Sequence, residues 1–202
     1  MNLLRRREMI LPSSSSEWDI DWDYAMGVLP TDRGWTRTDT SESNATQTLR
    51  DTDVRVYVKN SSYGLTYNAE RTNSIAVLET EFQFTNDFGN LMMFVSDGES
   101  YDFGIRAQYS QNYKGIYLYT ATTISSMTKV QSMSKNTYYK LRLVTDGYYG
   151  YLYVNDVLKA GQVDLDTMVA TSRTTRIRVT DASTAQASYT NIHFMRAKFG
   201  RL

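Results

Sequence analysis

The sequence contains no cysteine, so it has no disulfide framework, no thiolate zinc site and no cysteine nucleophile. Two prolines in 202 residues leave few of the breaks expected of a disordered linker. Only one histidine, His193, is present, which excludes a multi-histidine metal site and a convincing nucleophile triad. Charge of one sign is also missing: 22 Lys and Arg stand against 22 Asp and Glu, so no nucleic-acid partner is expected. No apolar run approaches the ~20 residues of a membrane-spanning helix, and no membrane partner is expected. At the amino terminus Arg5, Arg6 and Arg7 precede only Met9, Ile10 and Leu11 before Pro12. A secretory segment needs about 7–15 apolar residues, so no signal peptide is expected.

What the chain has is tyrosine, 16 in all, a residue suited to strands and amphipathic surfaces. Its length fits one domain, large enough to bury a core without metals or disulfides. The run Ser13 to Ser16 reads as a joint, giving a flexible arm over residues 1–16 and a single folded domain over 17–202.

From Val54 onward, short stretches rich in Val, Ile, Thr, Tyr and Phe alternate with Gly, Asn, Asp and Ser. Val54, Val56 and Val58 point one way, and Arg55, Tyr57 and Lys59 the other. In IAVLETEFQF, Ala76, Leu78, Phe82 and Phe84 oppose Val77, Glu79, Glu81 and Gln83. LMMFVSDG, YDFGIRAQYS and GIYLYTA read as a meander. Tyr139, Leu141 and Leu143 oppose Tyr138, Lys140 and Arg142, and Asp146-Gly147 then Asn155-Asp156 supply tight turns. Asp164 to Arg173 reads as a loop or a single helical turn. In the last strands Ile177, Val179, Ile192 and Phe194 are expected inside, with His193 outside. Asp19, Asp21 and Asp23 alternate with Ile20 and Trp22, which reads as a strand edge with its charged side in solvent. About ten or more strands exceed one flat sheet, so an all-β antiparallel β-sandwich of jelly-roll type is expected.

Tyr151-Leu152-Tyr153-Val154-Asn155-Asp156-Val157-Leu158 resembles the hairpin of concanavalin-A-like and laminin-G-like jelly rolls, the lectin/glucanase fold. With EFQF, LMMFV and ASYTNIHF in the same order, the resemblance covers Ile75 to Phe199. It implies a fold rather than a function, because that fold hosts lectins, glycanases, adhesion modules and structural domains. A second stretch, Trp22 to Arg37, resembles the opening of concanavalin-A-like domains from phages and prophages of gut Firmicutes. This second resemblance implies a virion component of the tail or baseplate, with other virion proteins as partners, located on the virion or outside the host after lysis. It also implies a homo-oligomer.

Laminarinase-type members of the fold carry two or three acidic residues on one strand. Here Glu79-Thr80-Glu81 begins that pattern and Gln83 breaks it. Glu79 and Glu81 share a strand face, and both are expected to be solvent-facing residues without a catalytic role. A glycan-degrading enzyme is therefore a second alternative, and no enzyme activity is expected. Asp97, Glu99 and Asp102 flank an Asp-Gly turn, a loop type from which calcium accepts oxygens, but an ordinary hairpin accounts for them. No metal and no cofactor are expected.

If Ile116, Leu118, Leu152 and Val154 face the core, then Tyr117, Tyr119, Tyr151 and Tyr153 face outward beside Arg106, Gln108 and Arg142. Aromatic rings offer flat surfaces to sugar C–H faces, and Arg and Gln offer directed hydrogen bonds. The same tyrosines would equally serve cross-strand pairing or a subunit interface. The expected function is non-enzymatic carbohydrate binding or adhesion to bacterial surface glycan, through a face of Arg106, Gln108, Tyr117, Tyr119, Arg142 and Tyr151. The first alternative is a structural domain of a virion or surface assembly that binds no glycan.

Overall fold

A computed structural model describes residues 18–39, 45–59, 64–69, 75–96, 102–120, 127–146, 148–164, 174–181 and 186–200. In chain order the strands are β1 (Ile20–Asp23), β2 (Thr36–Asp39), β3 (Ala45–Leu49), β4 (Val54–Lys59) and β5 (Gly64–Ala69). They continue as β6 (Ile75–Phe84), β7 (Gly89–Ser96), β8 (Asp102–Tyr109), β9 (Lys114–Thr120) and β10 (Thr128–Ser132). The last five are β11 (Tyr139–Asp146), β12 (Tyr149–Val154), β13 (Val157–Asp164), β14 (Thr174–Asp181) and β15 (Ala187–Phe199). Among the described residues the only helical pieces are 3-10 turns at Tyr24–Met26 and Pro30–Arg33.

Two sheets form. The first runs β13-β12-β11-β6-β15-β4-β3, with β1 also paired to β15; the second runs β10-β9-β8-β7-β14-β5-β2. Neighbouring strands pair antiparallel throughout, as in the β11–β12 and β7–β8 ladders. The alternation seen in sequence is the alternation of burial: in β4, Val54, Val56 and Val58 are covered while Arg55 and Tyr57 are half-covered. Leu78, Phe82, Leu141, Leu143 and Leu152 of the first sheet pack in one cluster with Leu91, Met93, Phe103, Ile105 and Ile116 of the second. The result is an antiparallel β-sandwich with jelly-roll strand order. The layers meet closely where Gly150 of β12 lies under the Phe103 ring of β8; a Cβ on Gly150 would stand 2.3 Å from that ring.

Two sequence expectations change here. Phe194 faces outward, because the register of β15 against β6 slips between Ile192 and Phe194. His193 is the extra residue of that bulge, and everything after it is turned over relative to strict alternation. The bulge falls where β15 changes partner, from β4 (Ala187 to Ile192) to β1 (Phe194 to Ala197). Asp21 is not in solvent either: its carboxylate accepts from Arg196 Nε at 2.8 Å, with only 11% of its side chain exposed. The arm over 1–16, the Asp97-Gly98 turn with Glu99, Gly147 and the stretch 165–173 lie outside the described residues.

Candidate functional site

Sandwich geometry divides the six residues expected to form one face. Arg106 and Gln108 on β8 and Tyr117 and Tyr119 on β9 belong to the second sheet, with Arg106 opposite Tyr117 and Tyr119 opposite Gly104. Arg142 on β11 and Tyr151 on β12 belong to the first sheet, in register with Tyr153 and Val144. Because the sheets share one core, their outward sides look away from each other, and the six residues make two groups on opposite surfaces. On the second sheet Arg106 Nε donates to Asn90 Oδ1 at 3.0 Å. Tyr117 is only 8% exposed, and that burial raises its phenol pKa above the ordinary value. Its ring is covered more than it is presented.

The first sheet carries the denser chemistry. Register places Asp21, Arg196, Glu79, Arg142 and Tyr153 in one row across β1, β15, β6, β11 and β12. Contrary to the expectation from sequence, Glu79 is 1% exposed. Charged strand residues are usually solvated, but here cations take the place of water. Arg142 donates to Glu79 Oε2, and Lys140 Nζ and Arg196 Nη1 stand 3.7 and 3.9 Å from Oε1. Lys140 also pairs with Asp156 at 2.9 Å. Arg142 and Glu79 are thus outward by strand parity yet buried in fact.

One row along, the bulge presents His193 beside Glu81, with Nδ1 2.7 Å from Oε2. A carboxylate only accepts, so Nδ1 carries the proton of this contact. The Tyr138 ring, just before β11, stacks on the imidazole at 3.7 Å between centroids. Tyr24, from the 3-10 turn after β1, approaches it at 5.2 Å. Around this group, Arg50 grips the buried Asp53 through Nε and Nη2 at 2.7 and 2.6 Å. Burial is the main cause that raises the Tyr138 phenol pKa; the Asp53 carboxylate acts in the same direction, while a hydrogen bond with Gln83 opposes it. His193 and Glu81 keep 22% and 30% of their side chains exposed. Both are partly reachable from solvent.

Chemically, this arrangement offers a carboxylate and an imidazole beside partly exposed aromatic rings. Glycoside hydrolysis ordinarily needs two carboxylates flanking the bond, about 5–5.5 Å apart for retention or about 6.5–9.5 Å for inversion. Glu81 is available for that role, whereas Glu79 is enclosed by Arg142, Lys140 and Arg196. The parity of Tyr138 and of Glu79 with Glu81 was legible in sequence, but the convergence of Tyr24, Tyr138 and His193 was not. It depends on the bulge and on β1 lying against β15, and alternation signals neither.

No family model matches the chain, and no curated protein matches it. Solved structures do. A sialidase superposes with a TM-score of 0.65 at 11% identity, over 91% of this chain and 19% of that one, so the chain spans only a small part of the sialidase's length. The carbohydrate recognition domain of Emp46p, in its potassium-bound form, matches with a TM-score of 0.59 at 12% identity, over 92% of this chain and all of that one (100%). Domain 4 of AbnA, a GH43 extracellular arabinanase from Geobacillus stearothermophilus solved with arabinotriose, matches at 0.55 and 13% identity, over 92% and 94% of the two chains. At these identities the likeness is one of fold: the chain is an antiparallel β-sandwich of the concanavalin-A-like lectin/glucanase type.

Proposed function

We propose that the protein is a carbohydrate-recognition domain that holds glycan against the outward side of its first sheet and does not cleave it. The observation that carries this reading is the His193–Glu81 pair, partly exposed and flanked by Tyr138 and Tyr24. Sugars are bound by aromatic surface combined with a few fixed polar groups, and this surface has both. Support from fold comes from the Emp46p domain, itself a carbohydrate recognition domain, and from the AbnA domain solved with arabinotriose. The absence of cleavage is proposed because Glu79, the second carboxylate of the strand, is committed to its cations.

Affinity electrophoresis against a panel of soluble polysaccharides tests the site. Tyr138→Ala should weaken retardation by about tenfold or more, the equivalent of ~1.4 kcal/mol, while Tyr117→Ala on the opposite face should leave it within about twofold. Should Tyr138→Ala fold poorly, Tyr24→Ala is the substitute, and the melting temperature of each variant checks the fold. Equal binding by wild type and both first-sheet variants would reject the site. Release of reducing ends that disappears in Glu81→Gln would reject the non-catalytic reading.

The setting we propose is a virion or surface assembly that meets bacterial glycan. It is supported by the phage-like pattern from Trp22 to Arg37, whose two tryptophans are both in the core. Tail and lysis genes beside this one would agree with that setting, and polysaccharide-utilisation genes would contradict it.

A further inference from the structure

We infer that the first sheet takes an interior stretch of a linear glycan, laid diagonally over three tyrosine stations, and not a single terminal sugar. The inference deepens the carbohydrate-recognition reading and rests on it. It follows from where register puts the partly exposed tyrosines of this sheet that the His193 group does not use.

With Tyr138 as the middle station, the first of the other two is Tyr57 on β4 with Tyr189 on β15, opposite each other in register and 5.3 Å apart between ring centroids. Arg55 lies against it, 5.7 Å from the Tyr189 ring, its Nε donating to Asn191 Oδ1 at 3.2 Å. The last station is Tyr151 with Tyr153, two residues apart on β12 and so on one side of the sheet. Tyr57, Tyr151, Tyr153 and Tyr189 are half-buried, and each stands between fully covered neighbours in its strand. That alternation puts all four rings on the outward side, the side of Tyr138 and His193.

Register also sets the spacing. Tyr189 is bonded through its carbonyl to the Thr85 amide that follows β6, and Tyr139 pairs with Phe82, so Tyr138 lies two strands across and two residues along from Tyr189. Tyr153, opposite Arg142, lies one strand further across and four residues beyond Tyr138. With strands about 4.8 Å apart and about 3.4 Å per residue, these steps are roughly 12 and 14 Å, both in the same diagonal sense. Aromatic contacts reach only about 4.5–7 Å between centroids, so a single sugar ring meets one station and a chain is needed to meet three. Between the stations lie Gln83 and Lys140, both partly exposed, where the hydroxyls of such a chain would cross.

Oligosaccharide ladders test this directly. The intact protein is titrated in a calorimeter with arabino-, laminari- and chito-oligosaccharides, each from the monomer to the octamer. In a ladder that binds, affinity should rise about tenfold or more from dimer to hexamer, because each further contact is made within one bound chain. Tyr138→Ala should remove binding at every length. Tyr189→Leu and Tyr153→Leu should each weaken the hexamer about fivefold, the worth of one aromatic contact, and leave the dimer within about twofold. Leucine keeps apolar bulk on the strand, the melting temperature checks each fold, and Tyr57→Leu replaces Tyr189→Leu if that variant folds poorly. A hexamer that binds no tighter than the dimer, or one whose affinity survives both leucine substitutions, would overturn this inference; if Tyr138→Ala still removes binding, the glycan site stays in place. Binding to no ladder, or binding untouched by Tyr138→Ala and Tyr24→Ala, would overturn the underlying reading and this inference with it.

Discussion

Glu79 shows how a single residue can reverse its usual behaviour. Its neighbours in sequence give no sign that it is covered; three cations, one each from residues 140, 142 and 196, make burial tolerable. Removing one member of such a pair leaves the other charge buried and uncompensated. Glu79→Ala should therefore cost about 3–5 kcal/mol, read from urea or guanidinium unfolding. A combined Glu79→Leu, Arg142→Met protein should recover most of that loss, since a buried pair replaced by apolar groups of similar size is often neutral. A single-variant cost below about 1 kcal/mol, the range of a surface pair, would mean that the carboxylate is solvated after all. The tyrosines make a second residue-scale prediction. Burial raises the Tyr138 phenol pKa, and burial with the Asp146 carboxylate raises that of Tyr151. The folded state then holds these protons more tightly than the unfolded chain does. Their stabilising contribution is complete below the ordinary tyrosine value of about 10 and is lost as pH rises through the higher folded values. Unfolding measured from pH 9 to 12 should show that decline, with phenolate absorbance lagging behind that of free tyrosine. Phenolate absorbance that rises as in free tyrosine would contradict the buried placement.

At the level of elements, two features of the strands decide what the faces carry. One is the bulge at His193, a single inserted residue that keeps Ile192 in the core yet puts Phe194 and Arg196 outside. Strict alternation along YTNIHFMRAK places Phe194 inside, which is why its true side was not legible. The other is the contact of Gly150 with Phe103, where the lack of a side chain lets the two sheets close. Gly150→Ala should cost about 1–3 kcal/mol by overpacking, and Phe103→Leu in that background should return part of it. An unchanged melting temperature for Gly150→Ala would show that the layers stand further apart. The central strands β4, β6, β11 and β12 and the meander β7 to β9 were legible because one apolar face alternates with one polar face. Of the strands that were not, β2, β3 and β10 lie at sheet edges and read as polar segments, TRTD, ATQTL and TKVQS, while β5, GLTYNA, lies between β14 and β2. Edge strands bury little, so little apolar pattern marks them.

For the whole molecule, the jelly-roll sandwich was legible from periodicity and from the hairpin pattern around Tyr151 to Leu158, whereas the site was legible only in parts. Alternation tells which side of its own strand a residue takes; it does not tell which sheet the strand joins. Arg106 stands opposite Tyr117 in the second sheet while Arg142 and Tyr151 lie in the first, and sheet membership sets the two groups on opposite surfaces. The assembled surface around His193 draws on β1, β6, β15 and the approach to β11, segments spread from Tyr24 to His193 along the chain. The candidate site is therefore one face of the sandwich, and backbone amide shift mapping during titration with the best-binding oligosaccharide tests it most directly. Saturable shifts should cluster at Tyr24, Glu81, Tyr138, His193 and Phe194, with the second sheet silent. Shifts centred on Arg106, Gln108 and Tyr117, or scattered over both surfaces, would contradict it.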